Sequence, residues 1–359
     1  EQKKRVLVAM SGGVDSSAAA LLVKQAGLEA VGVTLSLRRE EREELFPGEK
    51  PCCSADDVND ARMVCARLGI PFYVFNFQED FQEQVIDRFV NAYCQGKTPN
   101  PCIDCNRHIK FGKLLRRAAE TGFDKVATGH YARVERDEAS GRFLLKTGLD
   151  RDKDQSYMLY SLTQEQLAHT MFPLGELTKA QVRALAEENG LLNARKRDSQ
   201  DICFVPDGDY AAFIEGYAKT SFPSGDFVGT AGEVYGRHKG IIHYTIGQRK
   251  GLGLSFPQPM YVCGIDPEKN QVTLAPHEAL FSRTVTAHGI NLIACERLPG
   301  PVRAQVKLRY RHAPQPALLE QTGEDTLQAT FDQPQRAATP GQALVAYDGD
   351  TVIGGGVIA

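Results

Sequence analysis

Three cysteines set the chemical question. Cys102 and Cys105 stand three positions apart in TPNPCIDCNRHIKFG, where Pro99 and Pro101 are expected to break any helix and expose an extended loop. Cys203 lies far downstream, in RDSQDICFVPDGD. A Cys-x-x-Cys pair outside a disulfide scaffold points to zinc, to redox chemistry or to thiol transfer. A structural zinc takes four ligands, and the chain has no second such pair. A thioredoxin-like site needs no distant third thiol. Three thiolates, one of them remote, suit either a sulfur relay or an iron–sulfur cluster with one iron left open.

The second constellation is AMSGGVDSS, residues 9–17. It follows the apolar run RVLVAM and opens the helical pattern SSAAALLVKQAG, the place where an open α/β sheet holds a ligand. Gly12 and Gly13 let backbone N–H groups turn inward. Ser11, Ser16 and Ser17 add hydroxyls, and a helix N-terminus adds the positive end of its dipole. These features make a phosphate cradle. Neither G-x-x-x-x-G-K-[ST] nor G-x-G-x-x-G occurs.

The elements that must position these residues follow from periodicity. EAVGVTLSL and PFYVFNF read as strands, and DKVATGHYARV as a later one. Between them, SADDVNDARMVCARLG carries Val58, Ala61, Val64, Cys65 and Leu68 at helical spacing. FGKLLRRAAETG is a further helix, and TKAQVRALAEENG one capped by Thr178 and closed by Gly190. This alternation predicts a doubly wound parallel sheet of the α/β class over residues 1–206. Glycine-rich, β-branched segments then suggest a small linking domain over 207–276. An antiparallel β-barrel is expected over 277–359, with a hairpin around Asp348 and Gly349. In VRAQVKLRYRH, strand alternation puts Arg303, Gln305, Lys307, Arg309 and Arg311 on one face.

A length of 359 residues, 42% hydrophobic and 24% charged residues, and a net charge of −3 describe an ordinary globular chain without a global nucleic-acid signature. Any polyanion must therefore be met by local patches such as VRAQVKLRYRH, RDKDQSY or HYTIGQRKGLG, the last with Gln248, Arg249 and Lys250. No apolar run reaches membrane-spanning length, and the N-terminus lacks a signal-peptide pattern, so a cytoplasmic location with no membrane is expected. Nine cysteines in a reducing compartment are better explained by catalysis, metal or burial than by disulfides. Cys65, Cys94, Cys263 and Cys295 sit in apolar patterns and read as packing residues. Cys52 and Cys53 precede a helix and read more as structural than functional.

SGGVDSS resembles the pyrophosphate loop of the PP-loop ATPases, which cleave ATP between its α and β phosphates. Together with PCCSADDVNDARMVCARLGIPF, GKTPNPCIDCNRHIKFG, ATGHYARV, DRDKDQSYMLYSL, RDSQDICF, HYTIGQRKGLG, KLRYRH and TPGQALVAY, it resembles the tRNA-specific 2-thiouridylases across essentially the whole chain. The resemblance implies ATP-dependent replacement of the C2 oxygen of a wobble uridine in tRNA by sulfur. It implies ATP contacts at Ala9, Met10, Ser11, Gly12, Gly13, Val14, Asp15, Ser16, Leu35 and Gly129, with Asp15 beside Mg²⁺ and pyrophosphate. Cys105 matches the first catalytic cysteine and Cys203 the persulfide carrier. Asn100, Pro101 and Cys102 match the target-base contact. His130, Lys153, Asp154, Gln155, Arg309, Tyr310 and Gln342 match tRNA contacts. Many members have an aspartate where Cys102 stands, so a base role does not transfer to it. A [4Fe–4S] cluster on Cys102, Cys105 and Cys203 is the alternative to the relay. A sulfur-donor relay protein and a monomeric state are also expected. The rival readings are a PP-loop ligase acting on a small molecule and a noncatalytic metal-bound RNA module.

Overall fold

The computed structural model describes residues 3–37, 55–196, 202–205, 207–219 and 221–359. The expectations for Cys52 and Cys53 fall outside the described residues.

Five short apolar runs build the first sheet. Strands β1 (Arg5–Ala9), β2 (Glu29–Ser36), β3 (Phe72–Asn76) and β4 (Lys125–Ala127) precede a hairpin of β5 (Ala132–Arg136) and β6 (Phe143–Thr147), and β7 (Thr170–Met171) follows. The order is β3-β2-β1-β4-β7 and every pairing is parallel. Successive side chains point to opposite faces, so Leu7 joins one core while Val6 and Val8 join the other. Helices α1 (Val14–Gln25) and α2 (Ala55–Leu68) contribute to the Val6 and Val8 side.

The Leu7 side is covered by two long helices. One runs from α3 (Gln78–Phe81) through a π-helical stretch (Gln82–Asp87) into α4 (Arg88–Cys94). The other runs from α5 (Pro101–Asp104) through a second π-helical stretch (Cys105–Lys113) into α6 (Leu114–Glu120). The helix was expected only from Phe111, after an extended loop. It starts at Pro101 instead, because Pro101 sits in its first turn, where the missing N–H costs nothing, and Asn100 caps it by accepting from Cys102 N–H at 3.2 Å. Cys102 and Cys105 are therefore helical residues. Short α7 (Gln164–Ala168) precedes α8 (Lys179–Glu188), whose capping box pairs Thr178 with Gln181; α9 (Tyr210–Ala218) follows.

A mixed four-stranded sheet follows: β8 (Gly225–Val228), β9 (Val234–His238), β10 (Tyr261–Asp266) and β11 (Gln271–Ala275), in the order β10-β11-β8-β9. Its Phe227, Val262, Val272 and Leu274 belong to the same buried cluster as Leu7 and Phe89. Strands β12 (Phe281–Leu292), β13 (Val302–Lys307), β14 (Gln315–Gly323), β15 (Thr326–Arg336), β16 (Ala343–Asp348) and β17 (Thr351–Ile358) pair antiparallel, and β12 also pairs with β17, closing a six-stranded barrel.

Two departures from the expected pattern matter. The hairpin β5–β6 adds to the barrel sheet through β17, so this part of the first two hundred residues packs with the C-terminal domain; Ala132 and Leu145 share a core with Tyr157, Val345 and Val352. And β13 ends at Lys307, so Arg309, Tyr310 and Arg311 lie beyond the strand and not on its alternating face.

Candidate active site

In the sheet, β1 is flanked by β2 on one side and β4 on the other, which makes the gap beyond β1 and β4 the switch point where open α/β sheets bind ligands. The glycine loop leaves β1 there. Gly12 adopts φ +75°, the left-handed region, and a Cβ on it would stand 2.5 Å from the Asp57 carbonyl oxygen. Gly13 caps α1 without offering a side chain to its first-turn N–H groups. Ser16 Oγ accepts from Ser11 N–H at 3.2 Å and donates to the Gly13 carbonyl at 3.0 Å, which cross-braces the loop. Thr34 Oγ1 donates to the Met10 carbonyl at 2.9 Å. Gly129 ends the neighbouring β4 segment; a Cβ there would meet Asp15 C and Ser16 N at 2.8 Å, so only glycine allows that approach.

Asp15 is held by two residues that the sequence did not single out. Lys179 Nζ stands 2.7 and 2.8 Å from its two oxygens, and Tyr131 Oη donates to Oδ1 at 2.8 Å. The carboxylate remains 32% exposed. Mg²⁺ takes one or two protein carboxylates and fills its shell with phosphate oxygens and water, and a partly exposed Asp15 at a phosphate cradle suits that role. Nothing in the local sequence announces Lys179, the first residue of α8, as a partner of a loop more than a hundred and sixty positions away.

From Tyr131 a hydrogen-bonded path leads to the cysteine helix. Tyr131 N–H donates to Gln155 Oε1 at 3.0 Å, and Gln155 N–H returns to the Tyr131 carbonyl at 2.9 Å. Met158 N–H donates to the Gln155 carbonyl at 2.9 Å. Asn100 Nδ2 donates to Met158 Sδ at 3.4 Å, and Asn106 Nδ2 to the Met158 carbonyl at 3.1 Å. From the other side, the barrel clasps the residues before Asn100. Thr98 N–H donates to the Pro340 carbonyl at 2.8 Å, and Gln342 Nε2 to the Thr98 carbonyl at 2.7 Å.

The thiols differ in setting. Cys102 is exposed and lies near Tyr310. Cys105 and Cys203 are half-buried and pack against the same apolar cluster, which also takes in Ala9, Leu35 and Leu37 at the carboxyl ends of β1 and β2. Among the described residues no group of three or more His, Cys, Asp or Glu is arranged to hold a metal ion. Cys102, Cys105 and Cys203 are all among the described residues. Burial pushes the Cys65 thiol up to about 11 and raises those of Cys94, Cys263 and Cys295, as suits packing residues.

The residues expected at RNA are placed unevenly. His130 is 8% exposed, bonded to Thr128 Oγ1 at 2.7 Å and set between Phe111 and Phe172; burial, then Lys110, lowers its pKa well below the usual range. Asp154 accepts from the N–H groups of Gly148 and Ser156 at 3.0 and 3.2 Å, folding the loop that carries Lys153. Arg309 Nη2 bonds the Ala337 carbonyl at 3.2 Å, the Ile246 carbonyl at 3.4 Å and Thr339 Oγ1, so it joins linking domain and barrel. Lys307 Nζ lies 5.7 Å from the ring centres of both Tyr157 and Tyr310. Arg311 is exposed.

Three family models match in series. The one described as "tRNA methyl transferase HUP domain" covers residues 4–207, "tRNA methyl transferase PRC-barrel domain" 211–276, and "Aminomethyltransferase beta-barrel domain" 282–358. The tRNA-specific 2-thiouridylase MnmA of Clostridioides difficile is 50% identical over 99% of this chain and 98% of its own length. The same enzyme of Geotalea uraniireducens is 51% identical over 99% of the chain and 95% of its length. The chain belongs to the tRNA-specific 2-thiouridylase family. None of the described helices is long and apolar enough to cross a membrane.

Proposed function

We propose that the chain exchanges O2 of the wobble uridine of tRNA for sulfur at the expense of ATP. One observation carries the reading: the hydrogen-bonded frame from Asp15 through Tyr131, Gln155 and Met158 to Asn100, which joins the phosphate loop to the cysteine helix. Preorganisation of this kind is what a two-substrate transfer needs, because the reacting groups must meet within a few tenths of an ångström.

ATP lays its phosphates on the N–H groups from Ser11 to Ser16. Mg²⁺ on Asp15 would offset the charge of the departing pyrophosphate. Uridine O2 attacks the α-phosphorus, the N3 proton is lost, and pyrophosphate leaves. Cys203 arrives as a persulfide loaded by a donor protein. Its terminal sulfur attacks C2, and AMP departs with the former O2. The Cys105 thiolate then attacks the Cys203 sulfur, forming a Cys105–Cys203 disulfide and releasing the 2-thiouridine. A thiol reductant restores both cysteines. Asn100 and Pro101, at the helix start, border the base; Lys153, Tyr310 and Arg311 meet the tRNA beyond it.

The test is a single-turnover reaction of persulfide-loaded protein with ATP and unmodified tRNA, followed by nucleoside mass analysis. The expected result is oxygen-to-sulfur exchange at the wobble uridine with one AMP and one pyrophosphate per base. A methylated base, or ATP consumed only when a small metabolite replaces tRNA, would overturn the proposal.

A further inference from the structure

The glycine loop is pinned from behind by a segment that neither the phosphate-loop pattern nor the cysteines draw attention to. Asn193 is 5% exposed, and its Nδ2 donates to the Gly12 carbonyl at 3.0 Å and to Ser17 Oγ at 2.7 Å. Ser17 Oγ donates in turn to the Gly13 carbonyl at 3.0 Å. Lys196 Nζ approaches the same Gly12 oxygen at 3.3 Å and is anchored on α2 by Asp57 Oδ1 at 2.6 Å and Asp60 Oδ2 at 2.7 Å. Burial works to lower the Lys196 pKa, but the two carboxylates outweigh it and hold the ammonium charged.

We propose that Asn193 and Lys196 are positioning residues of the nucleotide site: by holding the Gly12 carbonyl outward they aim the Gly13 N–H at the phosphates. The physical link is the planar trans peptide, in which the carbonyl oxygen of one residue and the N–H of the next point in opposite directions. Gly12 at φ +75° has no side chain to settle its orientation, so two donors on its oxygen fix what the glycine leaves free. Asn193 Oδ1 is buried with no hydrogen-bond partner among the described residues, a cost that an apolar residue of the same size would avoid. What the amide supplies here is its two donors.

The inference rests on the nucleotide-binding reading of the loop, and the experiment separates the two. Asn193→Leu and Lys196→Met keep side-chain size and remove the donors; Lys196→Arg keeps the charge. Full-length wild type and variants are compared by titration with ATP, by tRNA affinity, and by tRNA-dependent AMP formation across ATP concentrations. Both donor-deleted variants should raise the KM for ATP by about tenfold or more while the KM for tRNA stays the same and kcat largely recovers at saturating ATP. Lys196→Arg should restore most of the loss. A wild type that binds no ATP sinks the nucleotide reading and this proposal with it. A wild type that binds ATP while both variants bind it equally well sinks the strap alone. Should Asn193→Leu lose its fold, the half-exposed Lys196 pair decides by itself: unchanged KM in Lys196→Met overturns the proposal.

Discussion

A single sulfur atom separates Cys203 from serine, and the proposed transfer depends on that atom. Cys203→Ser should abolish 2-thiouridine formation while tRNA affinity stays within about twofold, because the residue is half-buried on an apolar cluster. Mass analysis and filter binding on the same preparation check it; a variant that thiolates at the wild-type rate removes Cys203 from the chemistry. Near the other thiol, His108 shares its helix with Cys105, and burial, then Arg88 and Arg107, lower its pKa from 6.5 to about 4. The unfolded chain therefore binds a proton at His108 between about 6.5 and 4 that the folded chain refuses. Stability from this group is complete above pH 6.5 and is lost as the pH falls towards 4. The neighbouring Asp104 carboxyl, raised by burial, works the opposite way at the acid end. His108→Gln should flatten the denaturation midpoint across pH 4–6.5; an unchanged slope would show that His108 does not titrate as its surroundings dictate.

At the level of elements, the site is made by close backbone approach. β4 ends against the first turn of α1 with Gly129 between them, and the missing side chain is what lets the ATGH turn touch the Asp15–Ser16 peptide. Gly129→Ala puts a methyl 2.8 Å from backbone atoms that cannot swing aside. It should cost about 1–3 kcal/mol and displace the loop enough to cut AMP formation by about tenfold or more. Retained circular dichroism with full ATP turnover would contradict that account. The cysteine helix shows the same economy of means. Its proline sits where a helix starts and its asparagine caps it, so Cys102 lies in the first turn and Cys105 begins a π-helical stretch. Local bulges of that kind change which way a side chain points without breaking the helix.

Across the whole molecule, the barrel reaches the site in two ways. The hairpin β5–β6 extends its sheet, and the 337–342 turn holds Thr98 from behind. Arg309 bonds three acceptors at this junction, so Arg309→Ala, which strips all three of their donor, should lower stability by about 1–3 kcal/mol. Arg311 is exposed, so Arg311→Ala should leave stability alone and reduce the salt dependence of tRNA binding. Binding measured at low and high salt, beside thermal unfolding, tells the two arginines apart. Identical salt slopes for wild type and Arg311→Ala would exclude a phosphate contact there.

Periodicity and glycine spacing were enough to read the parallel sheet, the glycine turn after β1 and the antiparallel close of the chain, because each depends on neighbours within a dozen residues. Local patterns were misleading where a tertiary partner decided. Pro101, expected with Pro99 to break any helix, opens one instead, and the stripe that includes Arg309 leaves the strand at Lys307. His130 is enclosed by Phe111 and Phe172, from separate elements. The partners of Asp15 and of the Gly12 carbonyl were beyond any sequence rule. Lys179, Tyr131, Asn193 and Lys196 meet the loop only because the doubly wound topology brings distant segments to one edge of the sheet, where the buried Asn193 amide and Ser17 hydroxyl must find partners.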